Sequence, residues 1–343
     1  MKEATHCQQM DMQWECGRAT MQSLGAMLAP VTFLLPDGRD VSPMHIARWQ
    51  EDIEIGSFPP ILHHLRGEWP CVPFGATDTG PLPPRWKSDN TSENHADHSN
   101  LHPHGFGSNT HWKLENKTSG AIRAQLDYPD QSPISSLTRR VTGKKGQPGL
   151  DITLSVTARR GTSLPIGLHP TFALPATAGA ISLHPGTYKD IWTYPGDTGG
   201  PCPLETDSHH QTLSAMRTRD GSIINLSRLP LTEPCECLLL LTETDGHFEL
   251  HNLDEGYKTS LEWNADHFPS VMLWISNRGR QASPWNGQHL ALGVEPVCSA
   301  FDLGTDISVG TNPLSQAGIR TYQTFEKDQI WTTGYSISVE ALD

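Results

Sequence analysis

The sequence predicts an all-β protein, and three of its features favour that fold class. Short apolar or alternating segments recur at intervals of about ten residues, which is typical of a sandwich or barrel with many strands. The 27 prolines and 30 glycines of the 343-residue chain can supply the turns between these segments. Helical periodicity is scarce, since only residues 43–53 suggest a helical turn or two.

The predicted strands are short runs bounded by Gly, Pro, Asn or Asp. Some alternate between apolar and polar residues, as expected where one face is buried, and others are continuously apolar. They are GAIRAQLDYP (120–129), LDITLSVTARR (150–160), CECLLLLTET (235–244), GHFELHNL (246–253), YKTSLEWN (257–264), SVMLWISN (270–277), HLALGVEP (289–296) and YSISVEAL (335–342).

Two stretches lack this strand pattern and are predicted to be long loops. Residues 77–104 are polar and rich in Pro and His, and residues 185–222 contain few strand-like runs. Loops of this length inside a compact domain are usually functional or mobile. Neither stretch divides the chain into two cores and no internal repeat is present, so we expect a single domain over residues 1–343.

The composition restricts the class of partner and the compartment. A formal net charge of -13 argues against nucleic acid or an anionic membrane as the main partner, because both are polyanions. No run is apolar enough for a transmembrane helix, and the first residues lack a signal-peptide pattern. The seven cysteines are scattered, which suits a reducing environment. We therefore expect a cytoplasmic location. The net charge is compatible with a neutral small-molecule ligand, whereas a phosphorylated ligand would need a local basic pocket.

Histidines are concentrated near the first predicted loop, and two interpretations of them stay open. Dense histidines suit a transition-metal site, but HExxH and CxxC patterns are absent, so a solvated loop without metal is favoured. His104 differs from the others, because the glycine after it lets the backbone turn sharply or approach a ligand. The histidines are His95, His98, His102, His104 and His111.

Two titratable residues lie in apolar segments immediately before a proline. His169 is found in PIGLHPTFALP and Glu295 in HLALGVEPVCSAFDLG, and the following proline favours an extended backbone at each. His169 suits a hydrogen-bonded core residue or a proton donor. Glu295 suits a solvent-facing strand end or a general base whose pKa is raised by partial burial.

A fourth candidate is Arg66, in HHLRGEWPCVPFG (63–75). It suits either a surface salt bridge or an arginine that binds hydroxyl or phosphate groups. Nucleotide-binding glycine loops and the GxSxG motif of hydrolases are absent from the sequence.

Taken in order, these segments resemble the galactose mutarotase-like (aldose 1-epimerase) superfamily, nearest its hexose-6-phosphate epimerase-like and mutarotase-related branch. The resemblance rests on the motifs LRGEWPCVPFG, HPHGFGSNTHWKL, GLHPTFALP and LGVEPVCSAFDLG, followed by WTTGYSISVEAL as a last strand. The resemblance spans roughly residues 18–343. It implies a large antiparallel β-supersandwich with a concave sugar cleft.

The resemblance also implies roles for individual residues. Glu295 matches the family's general base, His169 its general acid, and His104 a histidine that helps to bind the sugar. Interconversion of anomers needs the C1 hydroxyl deprotonated and the ring oxygen protonated, which such a pair can do without metal or cofactor. Arg66 and Trp285 are further candidates for sugar binding, and Trp274 and Phe106 are aromatic rings that suit either a sugar platform or the core.

The sequence departs from the branch's pattern at three places. Gly107 and Ser108 stand where the phosphate-binding proteins usually carry Ala-Arg, which argues against a phosphosugar. Thr171 replaces a tyrosine, and Glu68 replaces a second glycine after Arg66. These departures bear on the identity of the substrate rather than on the acid–base pair.

The leading functional hypothesis is therefore a mutarotase that acts on a free or lightly substituted aldose through Glu295 and His169. A sugar-binding or regulatory protein with poor turnover is the alternative from another class. A lyase on a similar sandwich is less favoured, because it would need a tyrosine or lysine base that we do not identify. The sugar and the oligomeric state stay open.

Overall fold

The computed structural model describes residues 7–50, 57–76, 79–87 and 102–342, and the statements below concern these parts of the chain. Antiparallel strands dominate them, which confirms the all-β prediction. The strands are β1 (Gln9–Trp14), β2 (Gly17–Gln22), β3 (Leu28–Leu34), β4 (Asp40–Val41), β5 (Pro70–Cys71), β6 (Lys113–Thr118), β7 (Ala121–Asp127), β8 (Ile134–Gly143), β9 (Gly149–Ala158), β10 (Thr162–Leu164), β11 (Ile166–Leu168), β12 (Thr171–Ala173), β13 (Ile181–Pro185), β14 (Asp190–Thr193), β15 (His209–His210), β16 (Met216–Arg217), β17 (Ile223–Ile224), β18 (Arg228–Leu229), β19 (Cys235–Thr242), β20 (His247–Asn252), β21 (Tyr257–Trp263), β22 (Ser270–Asn277), β23 (Leu290–Cys298), β24 (Gln323–Phe325) and β25 (Ile330–Ala341). The short α-helices are α1 (Pro60–His63), α2 (Gly105–Ser108), α3 (Thr305–Val309) and α4 (Pro313–Gln316), with 3-10 turns at Arg48–Gln50 and Pro84–Trp86.

Two large sheets form a sandwich. One has the strand order β18-β13-β20-β21-β25-β9-β8-β7-β6 and the other β15-β14-β19-β22-β23-β11-β5, with β12 also paired to β23. Side chains from both sheets join in one core cluster, to which Leu154 and Ile337 contribute from the first sheet and Leu239 and Leu273 from the second. Smaller sheets are formed by β1–β4, by β10 with β24 and by β16 with β17.

The burial pattern explains why the two large sheets differ. Strand β9 alternates buried and more exposed residues, so one face of its sheet meets the core and the other meets solvent. Strands β19 and β22 are buried along their whole length. Alternate residues of these strands therefore serve two apolar environments: Leu239 and Leu273 face the sandwich core, whereas Leu238 and Met272 belong to a second cluster on the opposite face.

The eight predicted strand segments are all confirmed, as β7, β9, β19, β20, β21, β22, β23 and β25. The helical turn expected within residues 43–53 is confirmed only at residues 48–50. Met44 and Ile46 form β-bridges with Phe172 and Arg66, and only residues 48–50 turn, as a 3-10 helix. Pairing with distant strands outweighs a weak local helical pattern here. Residues 51–53 lie outside the described range.

The two predicted loops have different outcomes. Within residues 185–222 the chain forms β14, β15 and β16, and β14 pairs with β19 in the eight-stranded sheet. Of residues 77–104, only 79–87 and 102–104 are described, so the prediction for the remainder lies outside the described residues. In the described portion, none of the helices is long and apolar enough to span a bilayer.

Candidate active site

His169 and Glu295 lie opposite each other on the face of the eight-stranded sheet that points away from the sandwich core. Strands β11 and β12 both pair with β23, with Gly167 opposite Val297 and Thr171 opposite Gly293. The register is the same on both sides of the His169–Pro170 step, and this places His169 across from Glu295. The His169 Nε2 and Glu295 Oε1 atoms are 3.5 Å apart.

Gly293 makes room for the carboxylate of Glu295. The two residues point to the same face of β23, and a Cβ atom at position 293 would overlap Glu295 Oε1 and lie 3.1 Å from the Cβ of Trp274. A glycine at this position is thus required by the close approach of a side chain rather than by backbone torsion. Gly293 positions the carboxylate that the sequence identified.

For the anomer interconversion that the sequence motifs predict, we expect Gly293→Ala to lower the catalytic efficiency by about 100-fold, because displacing a reacting group by about 1 Å has an effect of that size. The rate of this predicted reaction, followed by polarimetry, is the measurement. Gly334→Ala is a matched control, since a Cβ in that strand glycine meets nothing closer than 3.4 Å. A Gly293→Ala protein that folds normally and retains full activity would show that the carboxylate position is unimportant.

The His169 ring is held from three sides. It stacks on Trp69 with ring centroids 4.1 Å apart and an interplanar angle of 17°, and its Nδ1 lies 3.2 Å from Thr171 Oγ1. The His104 ring meets it edge to face at 5.0 Å. Thr171, at the position where the sequence motif predicts a tyrosine, therefore helps to orient the His169 ring. With Nδ1 beside Thr171, the other ring nitrogen, Nε2, faces Glu295.

The segment that carries Trp69 depends on Gly67. Gly67 has φ +55°, and a Cβ there would overlap the carbonyl oxygen of Leu28, so only glycine fits. The backbone of this segment pairs with the segment that carries His169, because His169 N donates to Trp69 O at 2.9 Å and Thr171 N donates to Gly67 O at 2.8 Å. The Arg-Gly motif thus places an aromatic ring against the His169 imidazole.

His104 occupies a constrained position at the start of α2. Its φ of 59° is in the left-handed region, and its amide donates to Gly75 O at 2.6 Å. The following residue, Gly105, also has positive φ and packs against Pro73. His104 is half-buried, its buried Nδ1 has no hydrogen-bond partner among the described residues, and burial lowers its pKa to about 4. A neutral imidazole with a free nitrogen is suited to a sugar hydroxyl.

A cavity of about 290 Å³ opens against the His169–Glu295 pair. Its volume is near the lower end of the range for small-molecule sites, about 300–1,000 Å³. Its apolar wall is formed by Leu62, Trp69, Leu238, Met272, Trp274 and Trp285, and its polar groups come from His104, His169, Arg280, Glu295 and Asp302. A mostly apolar wall with a few convergent polar groups is typical of a ligand site.

Burial moves the pKa values of the central pair in opposite directions. Glu295 is completely buried, neither carboxylate oxygen has a hydrogen-bond partner, and burial followed by the charge of Asp302 raises its pKa well above the usual 4.5. Burial and the neighbouring His104 lower the pKa of His169 well below 6.5. Both shifts disfavour the charged form, so the surroundings favour a neutral carboxyl group beside a neutral imidazole.

Three further polar residues of the site were not identified from the sequence. Asp302 lies in the cavity wall, its Oδ1 has no partner, and burial raises its pKa. Arg280 forms an ion pair of 3.0 Å with buried Glu236 and lies over the Trp285 ring at 4.8 Å. Asp302 and Glu236 each interrupt an apolar run, CSAFDLG and CECLLLL, which is the signal that singled out Glu295.

The other predicted residues are distributed differently. Trp285 and Trp274 both line the cavity. Arg66 and Phe106 do not: Arg66 is buried and its Nε donates to His64 O at 3.3 Å, while Phe106 packs on Tyr128 with ring centroids 5.1 Å apart. The structure therefore brings together His104, His169, Trp285 and Glu295 but leaves Arg66 outside the cavity.

The predicted histidine cluster is described only in part. His95 and His98 lie outside the described residues, and His111 bonds Ser23 Oγ through Nδ1 at 2.8 Å. Among the residues that the structure describes, no group of three or more His, Cys, Asp or Glu side chains is arranged to hold a metal ion.

Solved structures of the galactose mutarotase-like class share this fold along nearly the whole chain. An aldose epimerase homologue from C. elegans is 14% identical, with a TM-score of 0.62 and coverage of 98% of this chain and 100% of the other. A galactose mutarotase related enzyme from Lactobacillus acidophilus is 12% identical, with a TM-score of 0.59 and coverage of 98% and 99%. A protein from Synechocystis sp. PCC 6803 is 15% identical, with a TM-score of 0.65 and coverage of 98% and 96%.

The chain therefore has the galactose mutarotase-like β-sandwich fold, as the sequence motifs predicted. At these identities the likeness establishes the fold and leaves the activity open. No protein-family model matches the sequence, and no curated protein matches it.

Proposed function

We propose that the protein is a mutarotase of the aldose 1-epimerase type, which interconverts the α and β anomers of an aldose. The observation that carries this proposal is the buried, unpartnered carboxylate of Glu295, 3.5 Å from the His169 ring in the wall of a sugar-sized cavity. The fold shared with an aldose epimerase homologue and a galactose mutarotase related enzyme supports it.

The separation of Glu295 and His169 suits the chemistry. In a cyclic aldose the C1 hydroxyl and the ring oxygen are bonded to the same carbon, so the base and the acid that serve them must also be neighbours. Ring opening transfers a proton from the C1 hydroxyl to one group while the other protonates the ring oxygen. Rotation about the C1–C2 bond followed by reclosure gives the other anomer.

The proton inventory of the pair also suits this reaction. A neutral carboxyl with a neutral imidazole holds the same number of protons as a carboxylate with an imidazolium. A C1 hydroxyl that donates to Glu295 stabilises the carboxylate, and a ring oxygen that accepts from His169 stabilises the imidazolium. Substrate binding therefore moves the shared proton from Glu295 to His169, which prepares the base and the acid together.

The surrounding groups have supporting roles in this proposal. His104 and Asp302 contact sugar hydroxyls, and Trp285 offers an aromatic face to the ring. No step requires a metal or an organic cofactor. All seven cysteines lie in the described residues and are free thiols, which agrees with the proposed reducing cytoplasmic location.

Polarimetry of freshly dissolved pure anomers tests the proposal. We expect the protein to accelerate the approach to equilibrium of at least one aldose over buffer, in a panel of hexoses, pentoses and their phosphates. Intrinsic tryptophan fluorescence measures binding of the same sugars, since Trp69, Trp274 and Trp285 line the cavity. Binding without acceleration would assign the protein to the sugar-binding alternative. The absence of both binding and acceleration would contradict the presence of a sugar site.

The pH dependence of kcat/KM follows from the directions of the two pKa shifts. The active pair holds one proton, so activity is lost at low pH when His169 also becomes protonated and at high pH when the last proton leaves Glu295. Because burial lowers the pKa of His169 well below 6.5 and raises the pKa of Glu295 well above 4.5, we expect the acid limb below pH 6.5 and the alkaline limb above pH 4.5. An acid limb at or above pH 6.5 would contradict this assignment.

Asp302→Asn is expected to shift only the alkaline limb of this pH profile. The charge of Asp302 contributes to the raised pKa of Glu295, so its removal lowers that pKa and shifts the alkaline limb to lower pH. The acid limb, which reports His169, stays in place. A shift of both limbs together would contradict the assignment of the alkaline limb to Glu295.

A further inference from the structure

A second cavity, of about 550 Å³, shares Trp285 with the cavity of the candidate active site. Trp285 lines both cavities, and its half-buried ring is 4.7 Å from that of Trp49 in the second one. The two spaces are thus adjacent along one aromatic wall. The polar residues of the second cavity are His45, Arg48, Ser283, Asn286, Gln288 and His289.

Hydrogen bonds beneath this wall define the tautomer of His289. Glu236 is paired with Arg280 and accepts from Ser276 Oγ at 3.0 Å. Because that hydroxyl gives its hydrogen to the carboxylate, it must accept from His289 Nδ1, 2.8 Å away. Burial and the nearby His45 hold the pKa of His289 well below 6.5, so the ring is neutral. Its Nε2 is therefore a hydrogen-bond acceptor, and no group of the described residues bonds to it.

An acceptor in the wall indicates the kind of ligand. It favours a group that donates a hydrogen, such as a hydroxyl, and disfavours a phosphate or carboxylate, which offers only acceptors. His45 adds a second ring nitrogen without a partner, on an imidazole whose pKa burial lowers to about 4. Buried polar atoms of this kind are normally satisfied, so a hydroxyl-bearing ligand would remove a deficit.

The rest of the wall fits a sugar. Arg48, Asn286 and Gln288 are exposed side chains that bind hydroxyl groups, and Arg48 forms no ion pair with any other described residue. The Trp49 and Trp285 rings provide apolar faces. Asp and Glu are absent from this wall within the described residues.

We propose that the second cavity binds a further sugar unit, joined by a glycosidic bond to the aldose whose anomeric carbon lies at Glu295 and His169. The preferred substrates are then reducing disaccharides or longer reducing oligosaccharides that pass around Trp285. This inference rests on the proposed function, because the reducing end must be held where the anomers interconvert.

The test compares kcat/KM for an aldose with kcat/KM for reducing disaccharides built on that aldose. We expect at least one disaccharide to exceed the free aldose by about tenfold, a typical value for one well-packed aromatic contact. Trp49→Ala and Arg48→Ala each reduce this ratio. Trp331→Ala and Arg18→Ala, at positions in other sheets, are matched controls that leave the ratio at its wild-type value. Arg48 is exposed, so its variant keeps the test valid if Trp49→Ala fails to fold.

Several outcomes overturn the inference. Equal values for the aldose and all disaccharides would do so, as would a ratio that Arg48→Ala does not change. A preference for a sugar phosphate that Arg48→Ala abolishes would assign the cavity to an anion instead. If no sugar is interconverted, the proposed function fails, and tryptophan fluorescence then decides this inference: tighter binding of a disaccharide, lost in Arg48→Ala, supports it, and equal binding overturns it.

Discussion

Glu295→Gln is expected to lower kcat/KM for anomer interconversion by about 10²–10⁴-fold, the usual contribution of a general acid–base group. Glutamine has nearly the same shape but can neither take nor give the proton. The side chain is completely buried and its pKa is raised, so removing the ionisable group introduces no unpaired charge. We therefore expect the variant to fold, and polarimetry at neutral pH is the measurement.

Glu262→Gln is the matched control, because Glu262 is exposed on β21 in the other large sheet. It should retain wild-type activity. Sugar binding by Glu295→Gln, measured by tryptophan fluorescence, separates lost chemistry from lost affinity. Full activity in Glu295→Gln would remove the carboxylate from the mechanism.

Arg139→Met is expected to produce the largest loss of stability, about 3–5 kcal/mol. Arg139 and Glu68 form an ion pair in which both side chains are fully buried, and Arg139 Nη1 also donates to Ala26 O at 2.7 Å. Without the arginine, the Glu68 carboxylate would have no partner in a space that already raises its pKa to about 7. Urea unfolding measures the change, with Arg140→Met, at the exposed next position of β8, as the control.

The pH dependence of this loss has a defined sign. The folded-state pKa of Glu68 in Arg139→Met lies above its unfolded value near 4.5, so the folded state binds the extra proton more tightly. The contribution of Glu68 to stability is then largest below pH 4.5 and is lost as pH rises through its folded-state pKa, so the difference from wild type grows with pH. Glu68→Gln combined with Arg139→Met should recover most of the loss. A loss that is independent of pH and persists in the double variant would show that packing, not the charge, is responsible.

The Glu68–Arg139 pair also changes how one departure from the family pattern is interpreted. From the sequence, Glu68 in place of a glycine suggested an altered substrate. In the structure its side chain points into the protein to meet Arg139, 71 positions further along the chain, and it does not line the cavity. Local sequence carries no information on such a partner, because the contact depends on how two distant strands pack.

The strands could be predicted because their signal is local. Alternating burial in β9 and continuous burial in β22 both follow from residues within one strand. His169 and Glu295 were each singled out by their own context, but their pairing was predicted only through the resemblance, since the register that sets Glu295 opposite His169 joins strands more than 120 positions apart in the sequence. Arg66 shows the limit of that approach, because its motif is present while its guanidinium group lies outside the cavity.

The second cavity could not be predicted from the sequence, for a related reason. Its polar wall combines His45 and Arg48 with the distant His289. His289 Nε2 is an acceptor because His289 Nδ1 donates to Ser276, which in turn donates to Glu236 on a third segment. Each residue alone has an ordinary context. Only their packing around Trp285 brings them into one cavity wall.

Saturation transfer between the two anomeric proton signals of an equilibrated aldose tests the central claim most directly, because it observes interconversion itself at equilibrium. With the wild-type protein at neutral pH, saturating one anomer should reduce the signal of the other for at least one aldose or reducing disaccharide. With Glu295→Gln or His169→Gln the transfer should fall to the level of buffer. Equal transfer in the wild type, both variants and buffer, across the panel, would contradict the proposal that Glu295 and His169 interconvert anomers.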